Sequence, residues 1–158
     1  MQYTLIDLLQ QDHILAGVTA TDAASAIHAV NACLVTTGHT QAGFAADACK
    51  RETTFPTGLP TQPVAIAIPH ADPDHVLSSA VGIATLHSPV KFGQMGTDGS
   101  VILDVHAIFL LAIREREKQV EMIQQLMAVI QDQVLLTAII KADGPGEILD
   151  LIRQSVKH

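Results

Sequence analysis

His70 stands in the stretch VAIAIPHADPDHV (64–76), directly behind a proline that ends an apolar run. Val64, Ile66 and Ile68 alternate with Ala65 and Ala67, so both faces of the run are apolar, as in a strand covered on both sides. Pro69 has no N–H to give to a sheet ladder, and it holds Ile68 extended. His70 is therefore expected at the C-terminal end of a strand, the edge where ligand and catalytic groups collect in α/β folds. Two chemistries suit such a residue. With Asp72, Asp74 and His75 close behind, it can be a metal ligand. Alternatively, a neutral imidazole nitrogen can accept a phosphoryl group, and at pH 7 an unperturbed histidine is roughly three-quarters neutral.

The metal reading rests on HADPDH (70–75), which resembles the HxHxDH pattern of metallo-β-lactamase-like hydrolases, with Asp72 where the second histidine belongs. That fold needs a longer chain and further ligands downstream, and Asp and Pro at this spacing also build a turn on their own. No metal and no cofactor are expected. The phosphoryl reading needs in-line placement and positive groups around the moving charge. A formal net charge of −7 looks hostile to it. Magnitudes decide otherwise. Exposed charges beyond a Debye length of about 8 Å are largely screened. One arginine at about 4 Å contributes roughly 4 kcal/mol per unit charge at an effective dielectric near 20. Arg51 is the candidate, because it ends a helical stretch and leads into the loop that feeds the His70 strand. Its competing role is an ion pair with Glu52 or a cap on the helix C-terminus.

Around these residues the hydropathy pattern predicts a frame. Thr4–Gln10 reads as a short helix start and His13–Ala16 as a brief strand. Thr21 or Asp22 can cap a helix carrying Ala23, Ile27, Val30 and Leu34 at helical spacing, with Gly38 as its stop. A second helix runs from Gln41 to about Thr53, and FPTGLPTQP (55–63) reads as a loop. After strand 64–68 come a strand pair, Ser79–Leu86 and Val90–Phe92, turning at HSP, and then a long strand, 101–113. From about Glu117, Val120, Ile123, Met127 and Ile130 mark an amphipathic helix; 134–140 continues helically, and Glu147–Val156 is the last helix. Strands between helical blocks predict an α/β sandwich with a mixed sheet.

With 48% hydrophobic and 16% charged residues over 158 positions, the chain can build a core, and it is expected to form a single domain over 1–158. The acidic balance argues against nucleic acid or an anionic membrane as a partner. No signal peptide or spanning segment is evident, so a soluble cytoplasmic protein is expected. Cys33 and Cys49 lack CxxC spacing and are read as buried thiols. Of the eight histidines, His13, His28, His39 and His158 are assigned surface or capping roles, and His87 sits in the predicted hairpin turn. His106 shares a strand face with Asp104, which suggests a structural hydrogen bond.

KRETTFPTGL (50–59), VAIAIPHAD (64–72), HSPVKFGQMG (87–96) and HAIFLLAI (106–113), in that order, resemble the enzyme IIA domains of the bacterial phosphotransferase system. Within that system the chain is similar to the fructose–mannitol superfamily, and most of all to its galactitol branch. The resemblance implies a mixed sheet of about five strands with helices on both faces. It implies that His70 takes a phosphoryl group from the phosphocarrier HPr and passes it to a cysteine of an enzyme IIB, which acts with a membrane IIC component. It places Arg51 near the phosphate. Mannitol- and fructose-type members usually carry a second histidine early in the helix after the long strand; here Gln119 falls at that position. Glutamine can donate a hydrogen bond to a phosphate oxygen but cannot titrate. The expected function is thus a stand-alone phosphoryl carrier for galactitol or a related polyol. The alternatives are a regulatory, nitrogen-system-like phospho-acceptor and the metal hydrolase.

Overall fold

The computed structural model of the protein describes residues 3–156. Five strands form one sheet: β1 (Ile14–Val18), β2 (Gly58–Leu59), β3 (Ala65–Ala67), β4 (Ala80–Gly93) and β5 (Ile102–Ala112), in the order β1-β4-β5-β3-β2. β5 is central. It runs antiparallel to β4 and parallel to β3, while β1 is parallel to β4 and β2 antiparallel to β3. The sheet is therefore mixed, as expected.

The apolar run in β5 explains why helices must cover both faces. From Ala107 to Ile113 every residue is buried. Phe109, Leu111 and Ile113 enter one core, and Ile108, Leu110 and Ala112 the other, the two-residue alternation of a strand. The first core is completed by α3 (Arg116–Ile130), α4 (Gln133–Lys141) and α5 (Pro145–Ser155), the second by α1 (Ala23–Thr36) and α2 (Gly43–Thr54). β3 and the residue that follows it divide in the same way, with Ile66 and Ile68 in the first core and Ala67 in the second.

Local signals set most boundaries. Asp22 caps α1 by accepting the Ser25 N–H at 2.8 Å, and Gly38, at φ +82°, takes the left-handed turn that ends it. Pro145 opens α5 at the first helical position, where its missing N–H costs nothing. No single helix among the described residues is long and apolar enough to cross a membrane; α3 and α4 reach that length only together, and they meet at 84°.

Several expectations need correction. The HSP segment is no hairpin turn. β4 runs through it, and four of its residues (86–89) stand opposite one of β5 between the pairs Thr85–Ala107 and Val90–Val105, a bulge that leaves His87, Ser88 and Pro89 exposed. The loop 55–63 contains the short strand β2. The N-terminal helix start is a pair of 3₁₀ turns, Leu5–Leu8 and Gln11–His13. His13 is not at the surface but fully buried, with Nε2 2.9 Å from Thr37 Oγ1 and its ring edge-to-face with His39 at 4.9 Å. His28 is exposed, and His158 lies outside the described residues. Cys33 and Cys49 are free and only half-buried, and burial pushes both thiols up. Asp104 accepts from Lys91 Nζ, opposite it on β4, at 3.0 Å rather than from His106.

One close approach fixes how α1 lies on the sheet. A Cβ on Gly82 of β4 would come 2.3 Å from Val30 Cγ1. Val30 is fully buried and β-branched, so it has little room to give. Gly82→Ala is expected to lower unfolding free energy by about 1–3 kcal/mol, as overpacking does, and chemical denaturation measures it.

Candidate functional site

Two main-chain contacts hold the segment around His70. Ile68 N–H donates to the Thr57 carbonyl at 3.3 Å, and Leu111 N–H donates to the Pro69 carbonyl at 3.0 Å as part of a parallel bridge between His70 and Leu111. Pro69 thus stays in the ladder through its carbonyl, the one polar group it keeps. Because β3 and β5 are parallel, their C-terminal ends share one edge, and the chain leaving β5 delivers the first turn of α3 beside His70.

That turn is pinned. Ser79 Oγ accepts the Arg114 N–H at 2.7 Å, Tyr3 Oη donates to Glu115 Oε1 at 2.5 Å, and the Arg114 guanidinium reaches the Val76 carbonyl at 3.2 Å. Burial and the Glu115 carboxylate push the Tyr3 phenol up to about 12. From the other side comes α2, whose last turn carries Arg51. Its neighbour Glu52 ties α2 to the following loop by accepting the N–H and hydroxyl of Thr57, each at 2.8 Å. Burial raises the Glu52 pKa, and the Thr57 hydrogen bonds and the Arg51 charge oppose the rise. In the same loop Gly58 is required by a close approach: a Cβ there would stand 2.6 Å from the Gly93 carbonyl oxygen.

The result is a pocket of about 160 Å³ lined by His70, Arg51, Gln119, Arg116, Asp72 and Ile113, among others. All three residues singled out in the sequence, His70, Arg51 and Gln119, line it. A wider cavity of about 650 Å³ adjoins it, sharing Arg51 and His70 and adding Phe55, Met95 and Ile123.

His70 Nδ1 lies 2.9 Å from the Ile68 carbonyl. A carbonyl only accepts, so Nδ1 carries the proton and Nε2 keeps the lone pair. Burial lowers the His70 pKa; the bond to Ile68 works against this, the Arg51 charge adds to it, and Asp72 opposes it. The neutral, nucleophilic form therefore persists to lower pH than in a free histidine. The same shift has a stability consequence. The unfolded chain takes up its histidine proton near pH 6.5 while the folded one withholds it, so this contribution to stability is fully present above about pH 6.5 and is lost progressively as pH falls from there toward the lowered folded-state value. Relative to His70→Ala, the wild-type protein is expected to lose stability as pH falls below about 6.5, read from paired denaturation curves.

Arg51 is not spent on Glu52, and among the described residues it makes no ion pair. Its Cζ sits 5.0 Å from the Phe55 ring centroid, and its Nε is buried without a hydrogen-bond partner. The metal reading fares differently. His75 Nδ1 is 2.5 Å from Asp47 Oδ2 of α2, and among the described residues no three His, Cys, Asp or Glu side chains gather as a metal site would require.

The sequence does not point to Arg116, and it offers Glu52 only as a partner for Arg51 and not for Thr57. Arg116 sits in the run RERE (114–117), which announces a helix start, and only the parallel β3–β5 pairing shows that this start lies beside His70. Glu52 carried a signal, since KRETTFPTG sets it five residues before Thr57 across a turn-prone stretch.

Residues 7–155 match the family described as phosphoenolpyruvate-dependent sugar phosphotransferase system, EIIA 2. Over 90 residues the chain is 29% identical to the galactitol-specific EIIA component of Escherichia coli strain K12, covering 57% of this chain and 59% of that protein. The chain thus spans about three-fifths of the length of the curated relatives it matches. Its fold is similar to that in the complex of enzyme IIA mannitol with phosphorylated enzyme IIB mannitol from Escherichia coli (TM-score 0.76, 23% identity, 92% of this chain and 97% of that one). It is also similar to the nitrogen regulatory protein IIA-Ntr from Neisseria meningitidis (TM-score 0.71, 18% identity, 93% and 97%). At these identities the likeness concerns the fold alone.

Proposed function

Because the chain belongs to the EIIA 2 family of the phosphoenolpyruvate-dependent sugar phosphotransferase system, we propose that it is a phosphoryl carrier acting as one domain over 1–158, with His70 as its acceptor. It takes the group from phospho-HPr and passes it to a cysteine of an enzyme IIB, which works with a membrane IIC component to import galactitol or a related polyol. The observation that supports this most is the His70 tautomer: Nδ1–H is committed to the Ile68 carbonyl, so the lone pair of Nε2 belongs to a ring that lines the pocket with Arg51 and Gln119.

In the forward step the Nε2 lone pair forms a bond to phosphorus as the phosphorus–nitrogen bond to the donor breaks, the donor keeping that electron pair. In the next step the Nε2–phosphorus bond breaks as a thiolate of the IIB protein takes the group. Arg51 offsets the charge on the moving group. Gln119 donates a hydrogen bond to a phosphoryl oxygen without titrating. The wider cavity beside His70, with Phe55 at 58% and Met95 at 38% exposure, suits a docking protein that must bring its reacting atom to the pocket.

Incubation with phosphoenolpyruvate, enzyme I and HPr is expected to add one acid-labile, alkali-stable phosphate at His70, and a galactitol-type IIB is expected to remove it. Labelling at another residue, or none, overturns the reading. A protein that is labelled on His70 but gives its phosphate to no IIB is instead a regulatory phospho-acceptor, a role that needs the same histidine.

A further inference from the structure

We propose that Arg116 is a second phosphate-binding residue, which Asp72 occupies while His70 is free and releases to the phosphoryl group once it arrives. The inference rests on the carrier reading and adds to it a charge exchange at the same pocket.

The two arginines at the pocket are in different states. Arg51 makes no ion pair among the described residues, and its Nε has no hydrogen-bond partner, so its charge stands available at all times. Arg116 donates from Nη1 to Asp72 Oδ1 at 3.1 Å. Both members of that pair line the His70 pocket, Asp72 only two residues beyond His70 and Arg116 as the first residue of α3. The pinned turn before α3 fixes where the Arg116 backbone starts, and its side chain is left to choose a partner.

The choice turns on acceptor strength. The pair is 66% and 65% exposed, and exposed ion pairs hold weakly. A phosphoryl group carries about two negative charges and three acceptor oxygens, against one charge and two oxygens on Asp72. Guanidinium binds such oxygens two at a time, so the stronger acceptor wins when both are in reach. Before transfer, Asp72 keeps two guanidinium charges from facing each other in a pocket of about 160 Å³. After transfer, its carboxylate turns to water, which at that exposure is already beside it. Asp72 is thus a placeholder for the group that Arg116 is built to hold.

The variants Asp72→Asn, Arg116→Gln and the double substitution separate this exchange from simple repulsion. All three alter exposed side chains, and their thermal midpoints are expected to match the wild type. In single-turnover phosphorylation by phospho-HPr at fixed ionic strength, Arg116→Gln is expected to be about 10-fold slower and its phosphorylated form shorter-lived, a smaller loss than the roughly 10²–10³-fold of a buried, preorganised donor because solvent screens this exposed side chain. Asp72→Asn is expected to be about 3-fold faster, since Arg116 no longer has to leave a carboxylate. In the double variant the gain vanishes and the rate equals that of Arg116→Gln. A gain from Asp72→Asn that persists without Arg116 overturns the exchange in favour of plain repulsion, and so does a loss from Asp72→Asn that parallels Arg116→Gln. Labelled wild type with unmoved variants sinks the exchange alone; wild type that takes no phosphate sinks the carrier reading and the exchange with it.

Discussion

With His70 replaced by alanine, the protein is expected to take up no phosphate from phosphoenolpyruvate, enzyme I and HPr. The loss is expected to be total because, among the described residues, His70 is the one histidine that lines the pocket with Arg51 and Gln119. The fold is expected to survive. What alanine removes is one hydrogen bond to the Ile68 carbonyl, worth about 1 kcal/mol, while the bond from Leu111 N–H to the Pro69 carbonyl is main chain and remains. Label counted against protein, with a circular dichroism melt beside it, gives both answers. Undiminished phosphate in a folded His70→Ala protein would move the acceptor elsewhere and dissolve the proposed mechanism.

The second large effect belongs to Arg51. Arg51→Met keeps the unbranched stem and deletes the guanidinium, and it is expected to slow phosphoryl transfer by about 10²–10³-fold, the range seen when one preorganised charge-stabilising donor is lost. Stability is expected to change by less than about 1 kcal/mol. The contact with the Phe55 ring, worth roughly 0.5–1 kcal/mol, is lost, but so is the need to keep a buried Nε without a hydrogen bond. A group whose burial brings no partner in the resting protein is hard to explain by folding alone. Arg51→Lys keeps the charge and loses the planar fork, so an intermediate rate is expected. Should denaturation midpoint and transfer rate fall together in Arg51→Met, the residue is structural.

His70 could be expected at a strand end because a proline after an all-apolar run leaves few geometries for the next residue, whereas for Arg51 the residues left an ion pair with Glu52 or a helix cap open, and its nearness to a phosphate came from the resemblance. The face of α1 was legible from Ile27, Val30 and Leu34, but in α3 the sequence pointed to Val120, Ile123, Met127 and Ile130, whereas the buried face is Met122, Leu126, Val129 and Ile130 and Val120 is exposed. The β4 bulge was not, since Ser and Pro read locally as a turn and only pairing with β5 carries the strand through them. β2 was hidden for a related reason: two residues carry no period, and their strand character comes from β3 beside them. His13 looked like a surface residue because its burial is imposed by neighbours distant in sequence, Thr37 and His39. Arg116 escaped for the same cause, its closeness to His70 being a property of the parallel sheet.

The bond from the imidazole to a carbonyl two residues back has one more consequence. It favours one ring orientation, since rotating the ring would break the Nδ1 hydrogen bond. On the proposed carrier reading, whatever travels during an exchange is then supplied by the visiting protein, which brings its reacting atom along one line of approach. On that reading the imidazole's contribution to accuracy is to stand still, and differences between one client and another are left to be written in the clients.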